Sequence, residues 1–167
     1  MSEAADEAGV GPGGSGPPES LDEAYRRLWP ALVRLAFLLT GSAGGAEDVV
    51  HDAVVAASRH WDRVDNPDGY LRRSVVNRAR STHRRAGREE RAVARLAIRP
   101  VPDAVAPDVD ETWAVLRDLP ERQRHALVLR FYEDLPDADI ARLLGCRPAT
   151  VRSLVHRGLA NVKEALR

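Results

Sequence analysis

Apolar residues in this chain recur three and four positions apart, and no segment alternates apolar with polar in the two-residue rhythm of a strand. Leu21, Leu28, Leu32, Leu35, Ala36 and Leu39 predict one amphipathic helix to about Thr40, with Pro30 a point where it should kink. "TGSAGG" ends it, and Ala46, Val49, Val50, Ala53, Val54, Ala57 and Trp61 form the inner stripe of a second. After the turn "DNPDG", a third helix is expected from about Pro67 to Arg85, with Tyr70, Leu71, Val75 and Ala79 turned inward and most arginines outward. Helical pattern resumes from Glu111 to Leu119, stops at Pro120, and returns through Ala126, Leu127, Leu129 and Phe131. Residues 1–19 are Gly, Pro and acid with almost nothing to bury, a disordered tail. Residues 88–110 carry three prolines and little periodicity, and read as a linker. The expected architecture is all-α: two small helical domains, 20–87 and 111–167, joined by a flexible linker.

The most specific local feature is "DADIARLLGCRPATVRSLVHRGL", two helical runs interrupted at "GCRP". Ile140 and Leu144 lie one turn apart, and Ala141 beside them is small enough for a second helix to cross closely. Gly145 can take the left-handed conformation that ends a helix, and Pro148 suits a first helical turn because its missing N–H has no partner there anyway. Val151, Val155, Leu159 and Val162 should carry the buried side of the second helix. Thr150, Arg152, Ser153, His156 and Arg157 then point outward, a row of donors suited to a major groove. A plain helical hairpin with a solvated face is the competing reading. Against it, every formal charge from Arg147 to Lys163 is positive, whereas a merely soluble helix mixes signs.

Net charge is zero over the 167 residues, yet its distribution is uneven. Nine arginines between Tyr70 and Arg95 face only Glu89 and Glu90. Lys163 is the only lysine, so positive charge is almost entirely guanidinium, the group that binds phosphates and base edges in bidentate fashion. Nothing approaches the apolar length of a bilayer span, and the N-terminus has no basic start or hydrophobic signal core; a cytoplasmic location is expected. The single cysteine, Cys146, allows no internal disulfide and is expected as a small buried apolar residue. His51, His60, His83, His125 and His156 are scattered without ligand spacing, and no phosphate-cradling loop or nucleophile arrangement is present. Neither a metal, a cofactor nor an enzymatic activity is expected.

"LPERQRHALVLRFYEDLPDADIARLLGCRPATVRSLVHRGLANVKEAL" resembles region 4 of bacterial RNA polymerase sigma factors of the small extracytoplasmic-function (ECF) type. "LLTGSAGGAEDVVHDAVVAASRHWDRVDNPDGYLRRSVVNRARSTHRR" independently resembles sigma region 2, in its acidic "AEDVVHD" helix, its "HWDRV" end and its "YLRRSVVN" opening. The resemblance implies a factor, monomeric when free, that joins core RNA polymerase, melts the −10 promoter element through region 2 and reads the −35 duplex through region 4. Its partners would be the β′ clamp helices, the β flap and promoter DNA, with room for an anti-sigma factor.

Asp48 and Asp52 match the acidic positions of the clamp-binding helix; four residues apart, they repel by about 0.2–0.5 kcal/mol in isolation, which a basic partner would offset and Arg59 could also neutralise. Asn77 matches the asparagine of the −10 reading helix, with Arg73, Arg80 and Arg84 beside it for the backbone. Val64 to Gly69 corresponds to the segment that pockets an extruded base, with Trp61 and Tyr70 at its flanks or in the core. On the recognition helix, Arg152 is the leading candidate for a base or phosphate contact, with Arg157 nearer the backbone. Arg147 stands where relatives carry a helix cap, and Leu154, where an arginine is common, is either buried or set against a thymine methyl. A stand-alone dimeric helix-turn-helix regulator is the alternative, and it would need an apolar dimerisation surface.

Overall fold

The computed structural model describes residues 18–89 and 110–167, with side chains outside it for 43, 82–89 and 110–112. The predicted linker therefore lies largely, and the N-terminal tail almost wholly, outside the described residues. Among those described, every regular element is helical.

The first bundle comprises α1 (Leu21–Thr40), α2 (Ala43–Ser58) and α3 (Pro67–Glu89). Helix α1 starts on a capping box in which the Ser20 hydroxyl accepts from the Glu23 N–H while the Glu23 carboxylate accepts from the Ser20 N–H. It ends at Gly41, whose φ of 76° a side chain would resist. Pro30 lies inside α1 on its exposed side, and the element is continuous through it, so the expected kink does not divide the helix. Ser42 caps α2, accepting from the Gly45 N–H. A single 3-10 turn, Trp61–Arg63, leads to α3, where Asn66 Oδ1 accepts from the Gly69 N–H and Pro67 opens the helix. Leu32, Leu35, Leu39, Val49, Val50, Leu71 and Val75 are fully buried between these helices. An ion-pair clamp ties two of their ends together, Arg27 bridging Glu19 and Asp68 at 2.8 and 2.6 Å.

The second domain contains α4 (Asp110–Arg117), α5 (Glu121–Leu127), α6 (Asp137–Leu144) and α7 (Pro148–Ala165). A turn of π-helix, Val128–Tyr132, extends α5. The wide turn rotates the apolar stripe, so Val128 and Leu129 are buried while Phe131, at the end of the apolar run, is 63% exposed. Gly145 ends α6 with φ 61° and Pro148 opens α7, as the "GCRP" break predicts. The buried side of α7 runs through Val151, Leu154 and Gly158, not Leu159. Gly158 explains the shift: a Cβ there would lie 3.0 Å from Leu127 Cδ1, so α5 crosses at the glycine. Leu159, one residue on and about 100° around the helix, is left 46% exposed.

The two domains are in contact. Phe37 of α1 packs on Trp113 of α4 with ring centroids 4.6 Å apart. The Leu39 carbonyl, an orphan acceptor at the end of α1, accepts from Arg124 Nη2 at 3.2 Å and lies 3.0 Å from His125 Nε2. Both side chains are buried, and that burial pushes the Arg124 guanidinium below its ordinary pKa.

Candidate nucleic-acid interface

Three surfaces gather the residues that the sequence singles out. On α7, Arg147, Arg152, Ser153, His156 and Arg157 are exposed and Thr150 is half-buried. Arg147 is the N-cap residue and makes no side-chain capping bond, so the start of α7 lacks the roughly 1 kcal/mol that a Ser, Thr or Asp would supply. Arg152 Nη1 lies 3.6 Å from Asp137 Oδ2 in the first turn of α6, on a carboxylate that Arg130 also engages. Arg157 Nε donates to the Ser153 carbonyl at 3.3 Å, which lays its head along its own helix. Leu154 is buried with Val151, the inward of its two readings. Cys146 is half-buried against the core.

On α3 the residues expected to meet a melted strand are arranged differently. Arg73 and Asn77 are exposed but line a cleft of about 370 Å³ whose other wall is Asp139, Arg142 and Leu143 of α6. Arg80, expected to face outward, is half-buried: it donates to the carbonyls of Leu143 and Leu144, the latter at 3.2 Å. The unpaired acceptors and negative dipole end of α6 favour a cation there. Arg84 belongs to α3, but its side chain lies outside the described residues. Five positions before Asn77, Arg72 donates to both Glu133 oxygens at 2.8 and 3.0 Å, and the Glu133 side chain is only 6% exposed. This pair spans 61 positions, and no local pattern in the sequence announces it.

On α2, Asp48 and Asp52 are both exposed on the outer face. Neither carboxylate forms an ion pair among the described residues, so Arg59 does not neutralise them there. Trp61 and Tyr70 are half-buried against the core, and Trp61 Nε1 donates to the Glu19 carbonyl at 3.0 Å. Both aromatics thus serve the bundle. Among the described residues no three His, Cys, Asp or Glu side chains converge as a metal site, and no helix is long and apolar enough to cross a membrane.

Fold and site define a helix-turn-helix protein carrying a second helical bundle with an arginine-lined face. The family model described as Sigma-70 region 2 matches residues 24–89, and that described as Sigma-70, region 4 matches residues 110–162. The chain is 31% identical over 150 residues to the RNA polymerase sigma-E factor of Streptomyces coelicolor, covering 87% of this chain and 85% of that protein. It is 32% identical over 155 residues to the ECF RNA polymerase sigma factor SigM of Mycobacterium tuberculosis, covering 88% and 77%. Among solved structures, the sigma factor RpoE of Bartonella quintana, in complex with the anti-sigma factor NepR, aligns with a TM-score of 0.67 and 26% identity, covering 87% of this chain and 95% of that one. The chain belongs to the sigma-70 family, among the ECF RNA polymerase sigma factors.

Proposed function

We propose that this sigma factor joins core RNA polymerase through the acidic face of α2, opens the −10 element with α3 and reads the −35 element with α7, so directing transcription initiation. The observation that carries the reading is the presence, on separate domains of one chain, of two helices with arginine-rich outer faces, one of them the second helix of a helix-turn-helix. Asp48 and Asp52 offer a paired negative surface that suits the basic side of a polymerase clamp. Asn77 can donate to and accept from an unstacked base while Arg73, Arg80 and Arg84 hold the strand. On α7, Arg152 and its exposed neighbours meet the groove, Thr150 and His156 lie within the same row, and Arg147 and Arg157 bind phosphates. The factor itself carries no chemistry; nucleotide addition belongs to the polymerase.

The test is a reconstitution. Purified chain added to core polymerase should yield transcripts starting at defined positions on promoters selected from a random library by the holoenzyme. Reversal of charge at Asp48 and Asp52 should abolish assembly with core while leaving the helical content of the chain unchanged. Core affinity equal to the parent's would remove α2 from the interface.

A further inference from the structure

The cleft beside Asn77 is walled by both domains and carries polar groups that the protein's own contacts leave over. Three guanidiniums, those of Arg72, Arg73 and Arg142, and two carboxylates, those of Glu133 and Asp139, line it, so its ionic groups sum to one positive charge. Two of the guanidiniums are already matched: Arg72 donates to both Glu133 oxygens, and Arg142 pairs with Asp139 across one helical turn. Among the described residues the Arg73 guanidinium has no ion pair and the Asn77 amide no hydrogen bond. Val76, Leu129, Leu135 and Leu143 give the rest of the lining an apolar character. At 370 Å³ the cleft falls at the small end of the roughly 300–1,000 Å³ range of small-molecule sites.

These groups select a ligand by its chemistry. One net positive charge, delivered by guanidiniums, suits a single phosphate and not a polyphosphate. An amide without a partner is both donor and acceptor, which matches the edge of a nucleobase. A guanidinium fixed by two hydrogen bonds, as that of Arg72 is, offers a planar group on which a base can stack, and the apolar lining excludes water from the ring. We propose that the cleft binds a nucleoside monophosphate, with Arg73 and Arg142 taking the phosphate and Asn77 the edge of the base. Because the site draws on α3 and on the second domain, the ligand bridges them and stabilises the chain by mass action. The inference goes beyond promoter reading and does not depend on it, since the site is complete in the chain without polymerase or DNA.

Calorimetric titration of the full-length chain tests this, with the four ribonucleoside 5′-monophosphates, the matching nucleosides and inorganic phosphate as probes. At least one monophosphate should bind at one site per chain, roughly tenfold more tightly than its nucleoside or phosphate alone. Arg142→Ala removes a phosphate donor and leaves Asp139 to repel the anion, so affinity should fall roughly tenfold or more. Asn77→Ala should level the affinities of the four bases. Arg26→Ala, which removes an exposed arginine of the first bundle outside the cleft, should bind like the parent. The bound nucleotide should also raise the melting temperature of the parent and of Arg26→Ala, and not that of Arg142→Ala. No binding of any monophosphate, phosphate alone binding as tightly as all four, or equal losses in Arg26→Ala and Arg142→Ala would overturn the site. An unchanged base preference in Asn77→Ala would overturn the placing of the base.

Discussion

Helices α3 and α7 have the same outward chemistry and opposite fates in the free chain. Both present arginines beside amide or hydroxyl groups on a face away from their own domain's core. The face of α3 is met by Glu133 and the last carbonyls of α6, whereas on α7, among the described residues, only Arg152 meets a carboxylate of another element, Asp137 at 3.6 Å. The lesson is that a charged face does not report its own availability. Arginines that satisfy helix ends or buried acids inside the protein offset their loss of hydration with those hydrogen bonds, and are withdrawn from any outside ligand.

The largest difference should appear in stability. Arg72→Ala leaves Glu133 buried without its partner, and guanidinium denaturation should show a loss of about 2 kcal/mol. Arg152→Ala, whose side chain is 64% exposed, should stay within about 0.5 kcal/mol of the parent. Equal losses in the two variants would break the distinction between a held and an open face.

DNA recognition should reverse that order. Within the holoenzyme, Arg152→Ala should lower discrimination at one −35 position by about 1–3 kcal/mol if the contact is to a base. Arg157→Ala should weaken all sequences alike and reduce the salt dependence of binding by about one charge. Footprints at several salt concentrations separate the two, and unaltered binding by both would leave α7 an ordinary solvated helix.

Helix starts differ too: α1 carries a full capping box and α7 none. Arg147→Ser should stabilise the second domain by about 1 kcal/mol, read as slower hydrogen exchange in the first turn of α7. If Arg147 holds a phosphate, the same variant should bind promoter DNA less tightly despite its greater stability.

The smallest effect is expected in acid. The hydrogen bonds from Arg27 hold the Asp68 carboxyl below its ordinary pKa, as they do that of Glu19. A depressed carboxyl stabilises the fold fully above about pH 4, and that contribution is lost as pH falls through its folded value. The first bundle should therefore loosen slightly in acid through this clamp, and Asp68→Asn should remove that part of the pH dependence.

Much of this molecule was readable from local pattern. The three-helix stripe, the Gly145 stop and the Pro148 start each follow from side-chain periodicity and backbone preference within a few residues. Leu159, expected on the buried side of α7, and the exposed Phe131 mark where local pattern ends. A π-turn and the close crossing at Gly158 shift helical phase by one position, and both are set by tertiary packing. The outward arginines of α3 were identified, but their withdrawal was not, since Arg72 meets Glu133 across 61 positions and Arg80 meets backbone carbonyls that any sequence would supply. Buried Arg124 and His125 were invisible likewise: a basic pair on a short helix gives no hint that it caps another domain's helix.

The most direct test of a factor with two separate reading surfaces is footprinting of the holoenzyme on a selected promoter, with permanganate for strand opening and DNase for duplex contact. Asn77→Ala should abolish permanganate reactivity at −10 while −35 protection persists. Arg152→Ala should weaken −35 protection while the promoters that still bind continue to open. Loss of both signals together in each variant, or of neither, would contradict the division of promoter reading between α3 and α7.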